Sequence, residues 1–470
     1  MKALATEMAL VANEKRWTAL ALLCMAQFLV IMDTSIIGVA LPAIQTDLGY
    51  SNAGLQWIFN AYVIFFGGFL LLGGRLADLF GARKIFMWGF GVLTIASLFA
   101  GIAWNDHSLN AGRALQGLGS ALIAPASMTL LMMTFTDPKE LGKAFGFWGA
   151  SAAAGGSAGV FLGGVITEWL SWRWVFFVNI PVTLVVLLLC QRFLLQGRTT
   201  KGKVDILGAL LATASLILLV YVIVSGEAIS SAATVFLSVL AIILFVIFIL
   251  MQRSRKEPLL PLRIFKTPNL SSGNVVIALL AAAWIPLWFF LNLYLQQTLH
   301  YSAFNSGLAL LPMTLTIMIL MVGFTGKLVQ LFGFKLNLVL GLVFLTISLI
   351  VFSTAPVNGS FITSVLPASI LGAIGMSLAY IPGTMAAMSG AKPEETGLAS
   401  GIVNTSYQIG SAIGLAVIVV VAGSTTKHAI SSGIQEIDAV NTGFNTAFIA
   451  AAVVSGVAVL IALFFVKKPK

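Results

Sequence analysis

Asp33 is the one carboxylate that stands well inside an apolar run of this sequence, the stretch from about 17 to 41. A charge placed there costs about 2.5–3.5 kcal/mol on insertion scales, so an acid in such a position points to function. Its chemistry is reversible protonation. Apolar surroundings raise a carboxyl pKa and a neighbouring cation lowers it. A group held between those pulls changes its proton occupancy when its surroundings change. Arg113 offers the cation. Asp33 lies roughly 24 Å along its run, and Arg113 about 8 Å into its own from the opposite end, which puts the two at similar depth. The pair is expected either to carry a coupling proton or sense substrate charge, or to form a permanent strut.

A second group of residues suits ligand binding. Trp57, Asn60 and Tyr62 fall in the second apolar run and Gln116 in the fourth. Trp284, Trp288, Asn292 and Gln296 fall in the ninth, Asn404 and Gln408 in the thirteenth. Amides among aromatic rings fit an amphipathic, partly aromatic ligand. Interfacial anchoring is the alternative for the tryptophans. Asn404 and Gln408 are one helical turn apart on one face.

Other chemistries find little support. Gly155-Gly156-Ser157-Ala158-Gly159 fits the hydrolase pattern G-x-S-x-G, but that pattern needs a strand–turn–helix, and here it lies in an apolar helical run. His107, His300 and His428 are expected in loops, away from Ser157. Cys24 and Cys190 both sit in apolar runs and suggest neither a disulfide nor a metal site. No Walker-type phosphate motif is present, so no cofactor is expected, and a proton gradient is the energy source that fits.

The elements that must position these residues follow from composition. The chain has 470 residues, 59% hydrophobic and 9% charged, with a mean hydropathy of +1.01. A soluble protein of this size cannot hide that much apolar surface. Fourteen apolar runs are each long enough to cross a hydrocarbon core of roughly 30 Å. They fall near 17–41, 54–75, 85–104, 108–135, 143–167, 174–195, 205–225, 232–251, 272–297, 304–326, 335–354, 361–388, 396–422 and 441–466. The first is too long for a signal-peptide core and is expected to be retained. An even number of crossings puts both termini on one side. All but three of the 26 Lys and Arg fall in segments on that side, the exceptions being Arg113, Arg173 and Lys427. The positive-inside rule makes it the cytoplasmic side. It also accounts for the +10 net charge without nucleic acid as a partner. The expected partners are a small-molecule substrate, protons and membrane lipid, for a monomer in the plasma (inner) membrane.

Two echoes divide the chain. The frame Pro138, Glu140, Gly142, Gly146, Gly155, Gly159 returns at a constant offset as Pro393, Glu395, Gly397, Gly401, Gly410, Gly414. Glycines at Gly146, Gly155, Gly159, Gly163 and Gly164 let a second backbone come close, and pin one helix to its neighbour. The loop from Gly74 to Arg83, GRLADLFGAR, returns from Gly326 to Lys335 as GKLVQLFGFK, with Gln330 in place of Asp78. Two six-helix halves, 1–200 and 271–470, are therefore expected. The segment 201–270 has no partner in the repeat and reads as an inserted helical hairpin with basic linkers.

These residues resemble the major facilitator superfamily, in particular its 14-span drug:proton antiporter family. GGRLADLFGARK (73–84) looks like the superfamily loop signature, and NAGRALQGLG (110–119) is similar to its fourth-span motif. Residues 146–164 resemble the antiporter motif, MDTSIIGVALP (32–42) the first-span motif, and WRWVFFVNIP (172–181) the signature before the sixth span. Tyr294-Leu295-Gln296 with Pro312 also fits. The resemblance implies an all-α membrane protein of the major facilitator fold that exports lipophilic drugs or amphipathic metabolites by alternating access. It also implies a conformational latch of Gly74, Asp78, Gly81 and Arg83, with Asp78 meeting the amino end of the thirteenth span in the other half. The sequence departs from the family in Val160, where the antiporter motif usually has proline, and in Gly38, where asparagine is usual. No acid lies within spans 9–14, which argues against a dicationic substrate. Uptake or symport of an endogenous solute is the alternative transport reading; an intramembrane hydrolase or a scaffold is the remote one.

Overall fold

The computed structural model describes residues 2–51, 54–135, 137–196, 204–225, 229–255, 258–391 and 396–467. Pro393 and Glu395 of the repeat, and the basic residues Arg198, Lys201, Lys203 and Lys256, lie outside them.

Every regular element is helical, as a chain in lipid requires, since an intrahelical ladder satisfies the backbone without water. The helices are α1 (Lys2–Leu48), α2 (Trp57–Phe80), α3 (Ala82–Gly101), α4 (Asp106–Thr134), α5 (Pro138–Trp169), α6 (Trp174–Phe177) and α7 (Asn179–Phe193), followed by the hairpin α8 (Ile206–Ser225) and α9 (Ser231–Ser254). The second half comprises α10 (Leu270–Leu293), α11 (Ala303–Leu320), α12 (Gly326–Phe352), α13 (Leu366–Met388), α14 (Thr396–Ser431) and α15 (Glu436–Phe465). His107 and His428 lie within the ends of α4 and α14, not in loops. Ser157 is inside α5, where its hydroxyl donates to the Ala153 carbonyl at 3.2 Å. That is an ordinary helix back-bond, not a nucleophile elbow.

Among the described residues, thirteen helical segments are long and apolar enough to cross a membrane. The expected tenth and eleventh runs form one of them, Ala303–Phe352, 50 residues long. Straight, it would measure about 75 Å, more than twice a hydrocarbon core. Its backbone leaves helical geometry at Gly333 (φ 76°, ψ 163°). The equivalent glycine of the first half, Gly81 (φ 92°), separates α2 from α3. Both corners lie in the left-handed region that favours glycine, so the repeated loop has a repeated shape.

The packing repeats as well. α1 packs on α5, and α10 on α14; α3 packs on α4, and α12 on α13. In the first pair, a Cβ on Gly159 would lie 2.9 Å from the Met32 carbonyl oxygen, and one on Gly163 would lie 2.7 Å from that of Ile36. Gly155 abuts Phe28 even more closely, as Gly410 abuts Ala278 in the second half. Gly146, expected to join this stripe, has nothing within 4 Å. α1 and α5 still meet at this level, through the Trp17 and Phe147 rings at 6.3 Å and Arg16 with Glu140 at 2.6 Å, so Gly146 lies off the seam between them. Gly164 faces the other half, against Ala303 and Phe304.

The halves meet along two seams, α5 on α11 and α2 on α14. In the first, Gly307 rests on the Val160 carbonyl, and Phe304 stacks on Trp169 at 5.3 Å. In the second, the Thr405 hydroxyl donates to the Gly67 carbonyl at 3.3 Å. Further bonds tie the halves at the end of the bundle that carries Leu48 and Trp169. Gln296 donates to the Val39 carbonyl at 3.0 Å, and Gln297 to Gln45 at 3.2 Å. The hairpin lies over the second seam, with α8 against both α2 and α14. Asp205, almost fully buried, clasps the hairpin's base. It accepts from Gly208 N and from Gln252 Nε2, both at 2.7 Å, and from Arg255.

Candidate functional site

Asp33 and Arg113 meet inside the first half. Arg113 Nη1 donates to Asp33 Oδ2 at 2.6 Å, and the two side chains are 0% and 1% exposed. Five helices supply the surroundings. From α2, the Ile58 carbonyl accepts from Arg113 Nε at 3.0 Å, and the Tyr62 ring lies under the guanidinium at 4.5 Å. From α4, Gln116 accepts from Arg113 Nη1 at 2.8 Å and donates to Asp33 Oδ1 at 2.9 Å. The same Gln116 nitrogen reaches Ser97 Oγ of α3 at 2.9 Å. From α7, Asn179 Nδ2 donates to Asp33 Oδ1 at 2.8 Å. Asp33 itself comes from α1.

Local sequence explains the convergence. Gly117 of α4 leaves no side chain between α4 and the Tyr62 carbonyl of α2, so Gln116 beside it and Arg113 one turn earlier reach under α2 toward α1. Two polar atoms of the cluster, Arg113 Nη2 and Asn179 Oδ1, are buried with no hydrogen-bond partner among the described residues. A buried pair of this kind stabilises little by itself but is costly to break from one side. It has three donors for the carboxylate, one each from Arg113, Gln116 and Asn179.

The expected cavity residues divide. Gln116 and Tyr62 belong to the enclosed cluster, and the Tyr62 hydroxyl donates to Ser120 at 2.8 Å. Asn60 is fully buried and bonds Gln56 at 3.3 Å. Asn292 is buried against Gly38, its amide donating to the Trp288 carbonyl at 2.8 Å. The space left by Gly38, where an asparagine was the expected residue, is thus filled by an asparagine from the other half. Trp284 is buried and packs edge-on to half-buried Trp288 at 6.1 Å. Trp57, Gln296 and Gln408 are half-buried, and Asn404 is exposed, its amide donating to the Ser400 carbonyl at 3.0 Å. Half-buried Tyr380 and Tyr407 make an edge-on pair at 5.5 Å.

Of the expected latch, Gly81 forms the left-handed corner. Arg83 does not reach the other half. It donates to the Gln191 and Leu194 carbonyls at 3.2 and 3.0 Å and so closes the end of α7. Gly74 is in ordinary contact with Pro125, and Asp78 is exposed in the last turn of α2. At the far end of the same half, Asp47 accepts from Trp172 Nε1 at 2.9 Å and pairs with Arg173, which also stacks on Trp172. Nearby, Tyr50 donates to the Asp106 carbonyl and to Asn110, both at 2.9 Å. Burial pushes its phenol well above the usual range, so it remains a donor.

Asn179 and Ser97 were not singled out from the sequence. A polar residue inside an apolar run was the available signal, and Asn179 also lies within WRWVFFVNIP.

Two repeated bundles of helices long and apolar enough to cross a membrane, the first enclosing an ion pair, are the architecture of a polytopic membrane transporter. The chain belongs to the Major Facilitator Superfamily, whose profile matches residues 23–415. It is 38% identical to the cephamycin export protein CmcT of Amycolatopsis lactamdurans, over 87% of this chain and 86% of that protein. It is 35% identical to the puromycin resistance protein pur8 of Streptomyces alboniger, over 90% and 85%. The POT family transporter PepTSo has the same fold, with a TM-score of 0.67 at 17% identity over 95% of this chain and 98% of that one.

Proposed function

We propose that this chain is a proton-driven exporter of lipophilic or amphipathic small molecules that works by alternating access, with Asp33 as the proton carrier and Arg113 as its counter-charge. The observation that carries the reading is the enclosed Asp33–Arg113 pair at 2.6 Å. A charge kept at such cost in one half of a transporter has a use there. The half-buried aromatic and amide residues Trp57, Trp288, Gln296 and Gln408, with exposed Asn404, suit ligands that combine rings with hydrogen-bonding groups. Relatives named for cephamycin export and for puromycin or lincomycin resistance support antibiotics as the substrate class. In this reading the chain crosses the membrane fourteen times, turning back at Gly333, with both termini cytoplasmic. Its halves are 1–200 and 271–470, with 201–270 inserted between them. The test is uptake of puromycin into inverted proteoliposomes under an imposed pH gradient. Asp33→Asn is expected to lose accumulation against the gradient of drug while keeping downhill exchange. Accumulation by a well-folded Asp33→Asn protein removes Asp33 from the mechanism. Accumulation only when the proton and drug gradients are parallel replaces antiport with symport.

A further inference from the structure

We infer that Asn179 is a positioning residue that serves both protonation states of Asp33 by turning its side-chain amide end for end. This rests on the proton-carrier reading of Asp33. The argument starts from donors and acceptors. Asp33 Oδ2 is held by Arg113 Nη1, and Oδ1 accepts from Gln116 and from Asn179. That set fits a carboxylate, which accepts and never donates. Once a proton sits on Oδ1, that oxygen must donate, and an N–H aimed at it is repelled.

Gln116 cannot adapt, because both ends of its amide are committed. Its oxygen holds Arg113 Nη1 at 2.8 Å, and its nitrogen holds Ser97 as well as Asp33. Turning it would break both of those bonds. Asn179 is different. Its nitrogen bonds Asp33, and its oxygen is buried without a partner among the described residues. Turned about its last side-chain bond, it offers that oxygen to the Asp33 hydroxyl and sacrifices no existing bond of the oxygen. The proton enters from water when the bundle opens, bonds to Oδ1, and leaves by the same route. No other group changes charge.

The electrostatic setting is simple. The charged or titratable groups facing Asp33 are Arg113 from α4 and Tyr62 from α2; α3 presents Ser97, α7 presents Asn179, and α5 presents Gly159. Asn179 opens α7 directly after Val178, and the turn before α6 is anchored to α1 through Trp172, Arg173 and Asp47. The strap from Trp172 to Asn179 thus touches α1 at two levels, one beside Asp47 and one beside Asp33.

The test follows the carboxyl C=O stretch of Asp33 by infrared difference spectroscopy on the full-length protein in lipid, over a pH series. Absence of the band in Asp33→Asn identifies it. Asn179→Leu removes a charge-assisted hydrogen bond from the ionised form and a weaker neutral one from the protonated form, so the Asp33 midpoint is expected to rise by about one pH unit. The C=O band of the protonated form should also shift as its hydroxyl loses the Asn179 oxygen, and an unmoved band would refute the turn. The pH profile of proton-driven puromycin transport should rise in parallel. Asn179→Asp keeps the shape and the acceptor but adds a second acid, and should raise the midpoint at least as far. It covers the case in which the leucine variant does not fold. A well-folded variant of either kind with the wild-type midpoint overturns the inference. A midpoint and a protonated band that both shift in Asn179→Leu, together with uphill transport by Asp33→Asn, sink the carrier reading alone and leave the amide switch standing. A wild-type Asp33 that never titrates sinks both.

Discussion

The glycine stripe of α5 makes opposite demands within one motif, and alanine substitutions separate them. At Gly163 the added methyl carbon would start 2.7 Å from the Ile36 carbonyl oxygen, whereas an ordinary contact begins at 3.4 Å. The obstacle is backbone, so no rotamer change relieves it, and α1 must retreat along its length. Gly155 is worse placed, tighter still against Phe28. Overpacking of this kind costs about 1–3 kcal/mol. At Gly146 nothing lies within 4 Å, and alanine there should stabilise the helix by roughly 0.5–1 kcal/mol through the unfolded chain and helix propensity. Thermal unfolding in detergent of Gly155→Ala, Gly163→Ala and Gly146→Ala reads the difference directly, with membrane insertion checked for each. The first two should melt below the wild type and the third at or above it. Transport should fail in Gly155→Leu and Gly410→Leu, which wedge both equivalent helix pairs apart. Equal melting of all three alanine variants would refute the packing account and leave the glycines as a relic of duplication.

Further outcomes follow from the same geometry. If the pair is a permanent strut and not a proton site, Asp33→Asn should cost about 3–5 kcal/mol of stability by leaving Arg113 buried and unpaired. Adding Arg113→Gln should restore most of it, and a double variant that melts below both singles would argue against the pair as the source. Asp205→Ala removes three hydrogen bonds from the hairpin base and should lower stability by about 1–3 kcal/mol, while Gly208→Ala should do the same by crowding the Asp205 carboxylate; indifference to both would show the clasp to be ornamental. Ser431→Cys, in a protein without Cys24 and Cys190, should react with an impermeant thiol reagent from outside whole cells, and complete protection would invert the proposed topology.

Hydropathy made the helices legible because lipid leaves a backbone few choices. The repeated loop was legible because Gly81 and Gly333 recur with their neighbours, and both turn out to be left-handed corners. The Asp33–Arg113 pairing was legible from depth alone. What stayed hidden depended on helix rotation, which spacing along one helix does not determine. Gln116 and Tyr62 read as cavity residues, and they turn inward to the ion pair. Arg83 read as part of a latch between halves, and it closes α7 within its own half. Gly146 keeps the spacing of the frame but faces away from the seam, since its neighbour Phe147 and Glu140 make the contacts to α1 there. Asn179 was masked by the apolar residues around it, since a lone amide in such a run has no partner that the sequence itself reveals.

The buried ionic cluster draws on α1, α2, α3, α4 and α7, and on nothing beyond them. Its counterpart in the second half is lined by tryptophan, tyrosine and amide, and among the described residues the acids of that half, Glu436 and Asp438, stand in the first turn of α15. Duplication has therefore ended in a division of labour. If the proposed function holds, substitutions on α10, α13 and α14 would alter the surface offered to a solute without disturbing a single partner of Asp33. Descendants of such a chain would then be free to drift from substrate to substrate through one half, while the other stays under the constraint of its charges.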